Sequence, residues 1–220
     1  MTIEHHPLEP FLPPGATTLF LGSFPPPRER WSMDFFYPNY INDFWRVMGL
    51  VHFGEAKWFE IPDQVRNDGG QSRNDGGNSR NDGGRAWDDS GGVRKDVRKG
   101  FDRERIIAFC EERGLAFFDT ATVVKRLKDN ASDAFLEILE PTDVGALLAR
   151  MPDCRRLVTT GGKASEELAG ILSRKDLPPI GGYLHVRSWD RELEWWRMPS
   201  TSRAYPLALA KKADFYRRLF

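Results

Sequence analysis

Four short apolar runs, each halted by glycine or a polar turn, constrain the fold of this chain more than any other feature. They are Thr18-Leu19-Phe20-Leu21 before Gly22-Ser23, Leu115-Ala116-Phe117-Phe118 before Asp119-Thr120, Leu157-Val158-Thr159-Thr160 before Gly161-Gly162, and Trp195-Trp196-Arg197-Met198 before Pro199-Ser200. Short unbroken apolar runs bounded by turn residues are the mark of strands covered on both faces. Between them the spacing turns helical. Phe44, Val47 and Met48 fall at i, i+3, i+4. Asp102 is placed to cap a helix carrying Ile106, Ile107, Phe109 and Cys110, which Gly114 ends. Pro141-Thr142-Asp143 opens a helix with Val144, Leu147 and Leu148 on its apolar face, and Leu168, Ile171 and Leu172 mark another. Pro206 suits the first position of a last helix with Leu209, Phe215 and Leu219. The expectation is an α/β fold: three αβα layers around a central, mostly parallel four-stranded sheet. Sites in such sheets lie beyond the carboxyl ends of the strands, so residues 22–45, 119–133, 160–163 and 198–205 should converge.

One stretch breaks this pattern. Arg-Asn-Asp-Gly-Gly occurs three times, starting at Arg66, Arg73 and Arg80. The period of seven is no coiled-coil heptad, because nothing apolar occupies core positions. Such a segment buries too little surface to offset its ordering entropy. Residues 63–100 are therefore expected to be a disordered, flexible low-complexity insertion within a single domain spanning 1–220. The repeats lack the spaced carboxylates and terminal Glu of a calcium loop. Residues 125–133 read as a second, shorter loop.

Composition narrows the function classes. The chain carries 32 Lys+Arg and 32 Asp+Glu, so it is not a strongly basic, non-specific nucleic-acid binder, although local basic stripes remain open. The tail offers one such stripe in Arg203, Lys211, Lys212, Arg217 and Arg218, with a solvated helix face as the plain alternative. No apolar run approaches the roughly 20 residues of a membrane span. Residues 1–14 are polar and proline-rich, without the basic and apolar regions of a secretory signal. The two cysteines, Cys110 and Cys154, fit packing rather than a disulfide scaffold. A cytoplasmic monomer without metal or organic cofactor is expected.

The loops after the strands carry a resemblance. Gly22-Ser23-Phe24-Pro25-Pro26 followed by 36–45, Phe-Tyr-Pro-Asn-Tyr-Ile-Asn-Asp-Phe-Trp, resembles the first motif region of the uracil-DNA glycosylase superfamily, closest to its hypoxanthine-DNA glycosylase branch. Met198-Pro199-Ser200-Thr201-Ser202-Arg203-Ala204-Tyr205 resembles the second motif, a Pro-Ser-x-Ser loop. Asp119 with Asn130-Ala131-Ser132-Asp133 resembles the internal Asp…Gly-Ser-x-Asp region, and Thr160-Gly161-Gly162-Lys163-Ala164 resembles the Asn-Gly strand end. The likeness spans 15–62 and 101–220 with the motifs in order. There are departures. Other branches place Asp or Asn before the first-motif proline to activate water; here Phe24 stands there and cannot polarise water, as in the hypoxanthine branch. Thr160 replaces the Asn of the strand end, and the second motif lacks a His.

The resemblance implies a DNA glycosylase that flips a deaminated base, uracil or hypoxanthine, out of the stack and hydrolyses its glycosidic bond. It assigns the water-positioning role to Asn42, which could instead satisfy the loop backbone. Base contacts would fall to Ser23, Phe24, Phe36, Tyr37 and Thr160, with Phe36 or Tyr37 stacking on the base. Phosphate contacts would fall to Ser200, Ser202, Arg203 and Lys163. Asp34 and Asp43 are weaker acid–base candidates, more often surface or capping residues. No lysine stands out as a Schiff-base nucleophile, so water is the expected nucleophile. Two other readings stay open: a non-catalytic nucleic-acid-binding protein on the same fold, and a nucleoside or nucleotide hydrolase.

Overall fold

A computed structural model describes residues 2–62, 99–127 and 135–220. The repeat segment, bar its last two residues, and the Asn130-Ala131-Ser132-Asp133 motif lie outside the described residues. All four apolar runs form strands of one sheet: β2 (Thr18–Gly22), β3 (Leu115–Asp119), β6 (Arg156–Thr160) and β8 (Arg191–Met198). Their order is β3-β2-β6-β8, every neighbouring pair parallel. The expected sheet of four strands is corrected to five, because β7 (Gly182–Ser188) adds antiparallel to β8 through a hairpin turned at Trp189 and Asp190, both at positive φ. β7 alternates exposed and covered positions and so lacks the continuous apolar run that betrays the others.

A second sheet, absent from the sequence reading, joins β1 (Thr2–His5), β4 (Ala121–Arg126) and β5 (Leu136–Pro141) in the antiparallel order β1-β4-β5. β4 therefore occupies the start of the segment expected to be loop. The charged residues of β4 and β5 hide their strand character. Arg126 is buried and grips Glu4 of β1 with two bonds, Nε to Oε1 at 2.7 Å and Nη2 to Oε2 at 3.0 Å. A bidentate guanidinium–carboxylate pair fixes orientation as well as energy.

Five helices complete the described fold: α1 (Phe44–Phe53), α2 (Arg103–Arg113), α3 (Val144–Ala149), α4 (Gly162–Ile171) and α5 (Leu209–Tyr216). Asp102 and Asp143 cap α2 and α3 by accepting the N–H of Arg105 and Ala146, and Gly114 closes α2 in the left-handed region. The last helix begins at Leu209, not at Pro206, because residues 202–207 form irregular turns before the chain can wind. From β2 the chain passes first to β3 on one side and then to β6 on the other. With right-handed crossovers, α1 and α2 fall on one face and α3 and α4 on the opposite face. The topological switch point is thus between β2 and β6. The core is aromatic: Phe20, Phe44, Trp45 and Phe117 are fully buried in mutual contact. Cys110 and Cys154 are both buried free thiols. Among the described residues no helix is long and apolar enough to cross a membrane.

Candidate base-binding and phosphate-binding site

A cavity of about 680 Å³ opens where the switch point predicts it. Residues 22–26 after β2, Asp119 at the end of β3, Thr160 at the end of β6 and 200–206 after β8 all line it, together with 36–39, Ile41 and Asn42. The structure brings together Ser23, Phe24, Phe36, Tyr37, Asn42, Thr160, Ser200, Ser202 and Arg203, nine of the ten residues singled out above. Lys163 is the exception. It is the second residue of α4 with its ammonium on Glu167, 2.9 Å away, and does not line the cavity.

Backbone geometry shapes the floor. Gly161 takes φ 96°, and a Cβ there would come 3.3 Å from the Ser200 side chain. Its N–H donates to the Met198 carbonyl at 3.0 Å, so the ends of β6 and β8 are locked side by side. Gly22 faces Asp119 across the sheet, and an added Cβ would collide with the Asp119 carboxylate. Tyr37 sits at φ 52°. That conformation costs roughly 1–2 kcal/mol for a residue with a Cβ. Two contacts hold it there. Its ring stacks on Phe44, centroids 3.8 Å apart and planes within 4°, and its hydroxyl meets Thr160 Oγ1 at 2.8 Å. Desolvation pushes that hydroxyl far above its ordinary range; the Thr160 bond opposes the rise and the Asp119 carboxylate adds to it.

The aromatic walls are not equivalent. Tyr37 has one face committed to Phe44. Phe36 stacks against Phe117 at 5.9 Å and faces His6 at 6.2 Å. Phe24 joins a small cluster with Ala121, Val124 and Leu136 and meets the His6 ring edge-on at 5.4 Å. Phe24 thus ties the cavity to the second sheet.

Asn42 precedes α1, and its Oδ1 accepts the Phe44 N–H at 2.8 Å. This bond fixes the amide orientation: the carbonyl end is taken, and among the described residues its NH2 has no partner. Asn42 therefore offers the cavity donors. A donor can hold the oxygen of a water or of a base carbonyl, but it cannot take a proton.

Asp119 offers the complement. Its Oδ2 pairs with His6 Nε2 at 2.9 Å, while Oδ1 has no partner among the described residues. Among the described residues it is the carboxylate that lines the cavity. The weaker candidates lie elsewhere. Asp34 is exposed and pairs with Arg28 at 2.7 Å. Asp43 is buried, and its Oδ2 accepts from Lys212 Nζ at 2.9 Å. Lys212 is 1% exposed and also donates to the Ser202 carbonyl at 2.8 Å. The basic stripe is corrected accordingly: Lys212 is a buried strut, whereas Lys211, Arg217 and Arg218 are exposed on the tail.

The rim carries anion-binding chemistry. Ser200 Oγ accepts the Ser202 N–H and Ser202 Oγ accepts the Ala204 N–H, each at 3.2 Å. These turns leave the hydroxyl protons free to donate. Arg203 is exposed and makes only a long contact, 3.4 Å, to Asp43. Arg30, exposed beside the proline loop, lines the same mouth.

No protein-family model and no curated protein matches the chain. Among solved structures it matches the solution NMR structure of a "putative Uracil DNA glycosylase" from Methanosarcina acetivorans, at 18% identity and a TM-score of 0.51, over 100% of both chains. The two share a fold.

The motif reading missed His6 and Arg30. His6 lay in the polar N-terminal stretch, where a four-residue strand beside prolines gives almost no periodic signal. Arg30 follows three prolines and had no motif partner.

Proposed function

We propose that this protein is a DNA glycosylase that hydrolyses the glycosidic bond of a deaminated base, uracil or hypoxanthine, flipped out of DNA. One observation carries the reading: the cavity at the switch point combines a donor amide (Asn42), an acceptor carboxylate (Asp119), aromatic walls and a rim of hydroxyls and arginines. A flipped nucleotide needs those four things, namely edge partners, a stacking surface, room, and a hold on its phosphates.

In the reaction the bond between C1′ and the base nitrogen breaks, the base keeps the electron pair, and water adds to C1′ with loss of a proton. The sugar passes through a cationic state. Asn42 is suited to hold the base carbonyl or the incoming water through its NH2, preorganised by the Phe44 bond. Tyr37 supplies one free ring face; base–aromatic stacking is worth about 1–3 kcal/mol. Ser200, Ser202, Arg203 and Arg30 face the phosphates. The described cavity lining includes no lysine, which supports hydrolysis by water over a Schiff-base route that would also cleave the strand. Abasic sites formed in oligonucleotides carrying uracil or hypoxanthine, with the strand intact until alkali, would be the expected product. Intact substrate from folded protein would overturn the reading.

Phe24 favours a second reading. The residue before the proline loop is apolar and packed at 8% exposure, so no carboxylate there activates water. A binding protein that holds a flipped base without cutting it fits that feature. Tight binding of lesion-bearing DNA without release of base would identify it.

A further inference from the structure

We propose that His6, the residue directly after β1, is a positioning residue that sets which base edge Asp119 reads. The inference rests on the base-binding reading of the cavity. His6 is built in. Its N–H donates to the Thr122 carbonyl at 2.8 Å, extending the β1–β4 ladder, and Glu4 two residues earlier is clamped by Arg126. Arg126 also donates to the Pro25 carbonyl at 3.2 Å, so the same guanidinium ties β1 to the cavity loop. The His6 side chain is 4% exposed and sits behind the wall, in contact with the rings of Phe24, Phe36 and Phe118.

The consequence for Asp119 is chemical. Nε2 lies 2.9 Å from Oδ2, and an ionised carboxylate oxygen can only accept, which assigns the proton to Nε2; Nδ1 is anchored at Leu8, accepting its N–H at 3.2 Å and lying 2.8 Å from its carbonyl. That bond fixes the carboxylate rotamer and leaves Oδ1 as a pure acceptor toward the cavity. An acceptor there favours a base presenting a ring N–H, the lactam edge shared by uracil and hypoxanthine, and repels a base presenting a ring-nitrogen lone pair. Without His6, Oδ2 would lose the partner that holds the carboxylate in this rotamer, and Oδ1 would no longer be fixed toward the cavity.

The test uses the full chain and DNA carrying uracil or its N3-methyl analogue, and hypoxanthine or its N1-methyl analogue. Methylation replaces the N–H with a methyl group, removing the donor and adding bulk at one point; the His6 variants separate the two, because bulk alone would discriminate whether or not Oδ1 is held as an acceptor. Wild type is expected to disfavour each methylated base by about 10- to 100-fold, the range of a hydrogen bond to a charged group. His6→Ala should shrink that factor to about threefold or less, and His6→Gln, which keeps an N–H donor, should restore most of it. Equal use of methylated and parent bases by wild type, or undiminished discrimination in folded His6→Ala, overturns the proposal. Competition binding with the four free bases reads the same factor without chemistry. A protein that discriminates in binding but cuts nothing sinks the glycosylase reading while sustaining this one. Should His6→Ala fail to fold, unchanged discrimination in Asp119→Asn, whose amide would turn its NH2 to the cavity, also overturns it.

Discussion

Removing the Lys212 ammonium should destabilise the fold by about 3–5 kcal/mol, the usual cost of orphaning one member of a buried ion pair. Lys212 Nζ makes two bonds, to Asp43 Oδ2 at 2.9 Å and to the Ser202 carbonyl at 2.8 Å. In Lys212→Met the stem keeps its packing, Asp43 Oδ2 loses its donor and the Ser202 carbonyl loses one of two. The Asp43 side chain, 10% exposed, would keep only the 3.4 Å contact with Arg203. The Ser202 carbonyl would keep its bond from the Tyr205 N–H at 3.1 Å, so the loss falls mainly on Asp43. At roughly 2–4 °C per kcal/mol for a chain of this size, the melting temperature should fall by about 6–20 °C. Urea unfolding at constant m gives the free energy directly. Lys212→Met with Asp43→Leu should recover much of the loss, because no uncompensated charge remains, and the cycle of single and double variants should show strong coupling. A loss below about 1 kcal/mol, or additive single effects, would refute the claim that this pair ties α1, the 200–203 loop and α5 together.

Three further predictions rest on separate features. Gly22→Ala should displace the Asp119 carboxylate and cut base excision more than it lowers the melting temperature; unchanged excision kinetics would contradict the packing at that point. His52, whose buried Nε2 has no partner among the described residues, is pulled down to about 4 by desolvation, with Arg113 adding to the effect. Its folded form resists the proton that the unfolded chain accepts near 6.5, so stability should rise as pH rises from about 4 to 6.5. His52→Phe should flatten that part of the pH–stability curve, and an unchanged slope would count against it. Deleting 64–99 with a short glycine-serine bridge should leave a soluble, cooperatively melting protein, because the flanks already bond across the gap: Ile61 N–H to Gly100 at 3.0 Å and Asp102 N–H to Phe59 at 2.8 Å. Loss of the cooperative melt would refute the idea that this segment lies outside the fold's core.

The parts of the fold legible in the sequence are those with one dominant signal. Leu19, Phe20 and Leu21, or Leu157 and Val158, are buried on both strand faces, so their run of apolar residues is unambiguous. Asp102 and Gly114 mark their helix because capping chemistry is local. What escaped depends on distant partners. Ile3 in β1 is exposed, and Lys125 and Glu137 pair across β4 and β5, so the second sheet looks like polar loop until Arg126 and Glu4 meet. Lys212 belongs to a basic-looking tail, and only the fold sets it against Asp43. Loop motifs placed Asn42, Tyr37 and Ser200 near one another because strand ends converge by topology. The motifs did not reveal that Asn42 has already spent its carbonyl on Phe44, nor that His6 stands behind Asp119.

The most direct test of the central claim is a glycosylase assay with single- and double-stranded DNA carrying uracil, hypoxanthine or xanthine, comparing wild type with Asn42→Ala after alkali. The proposed function predicts base release by wild type and a fall of about 10²–10³-fold in the variant, the usual effect of losing one preorganised donor. Folded wild type that leaves every lesion in place, or an Asn42→Ala variant as active as wild type, would contradict the account.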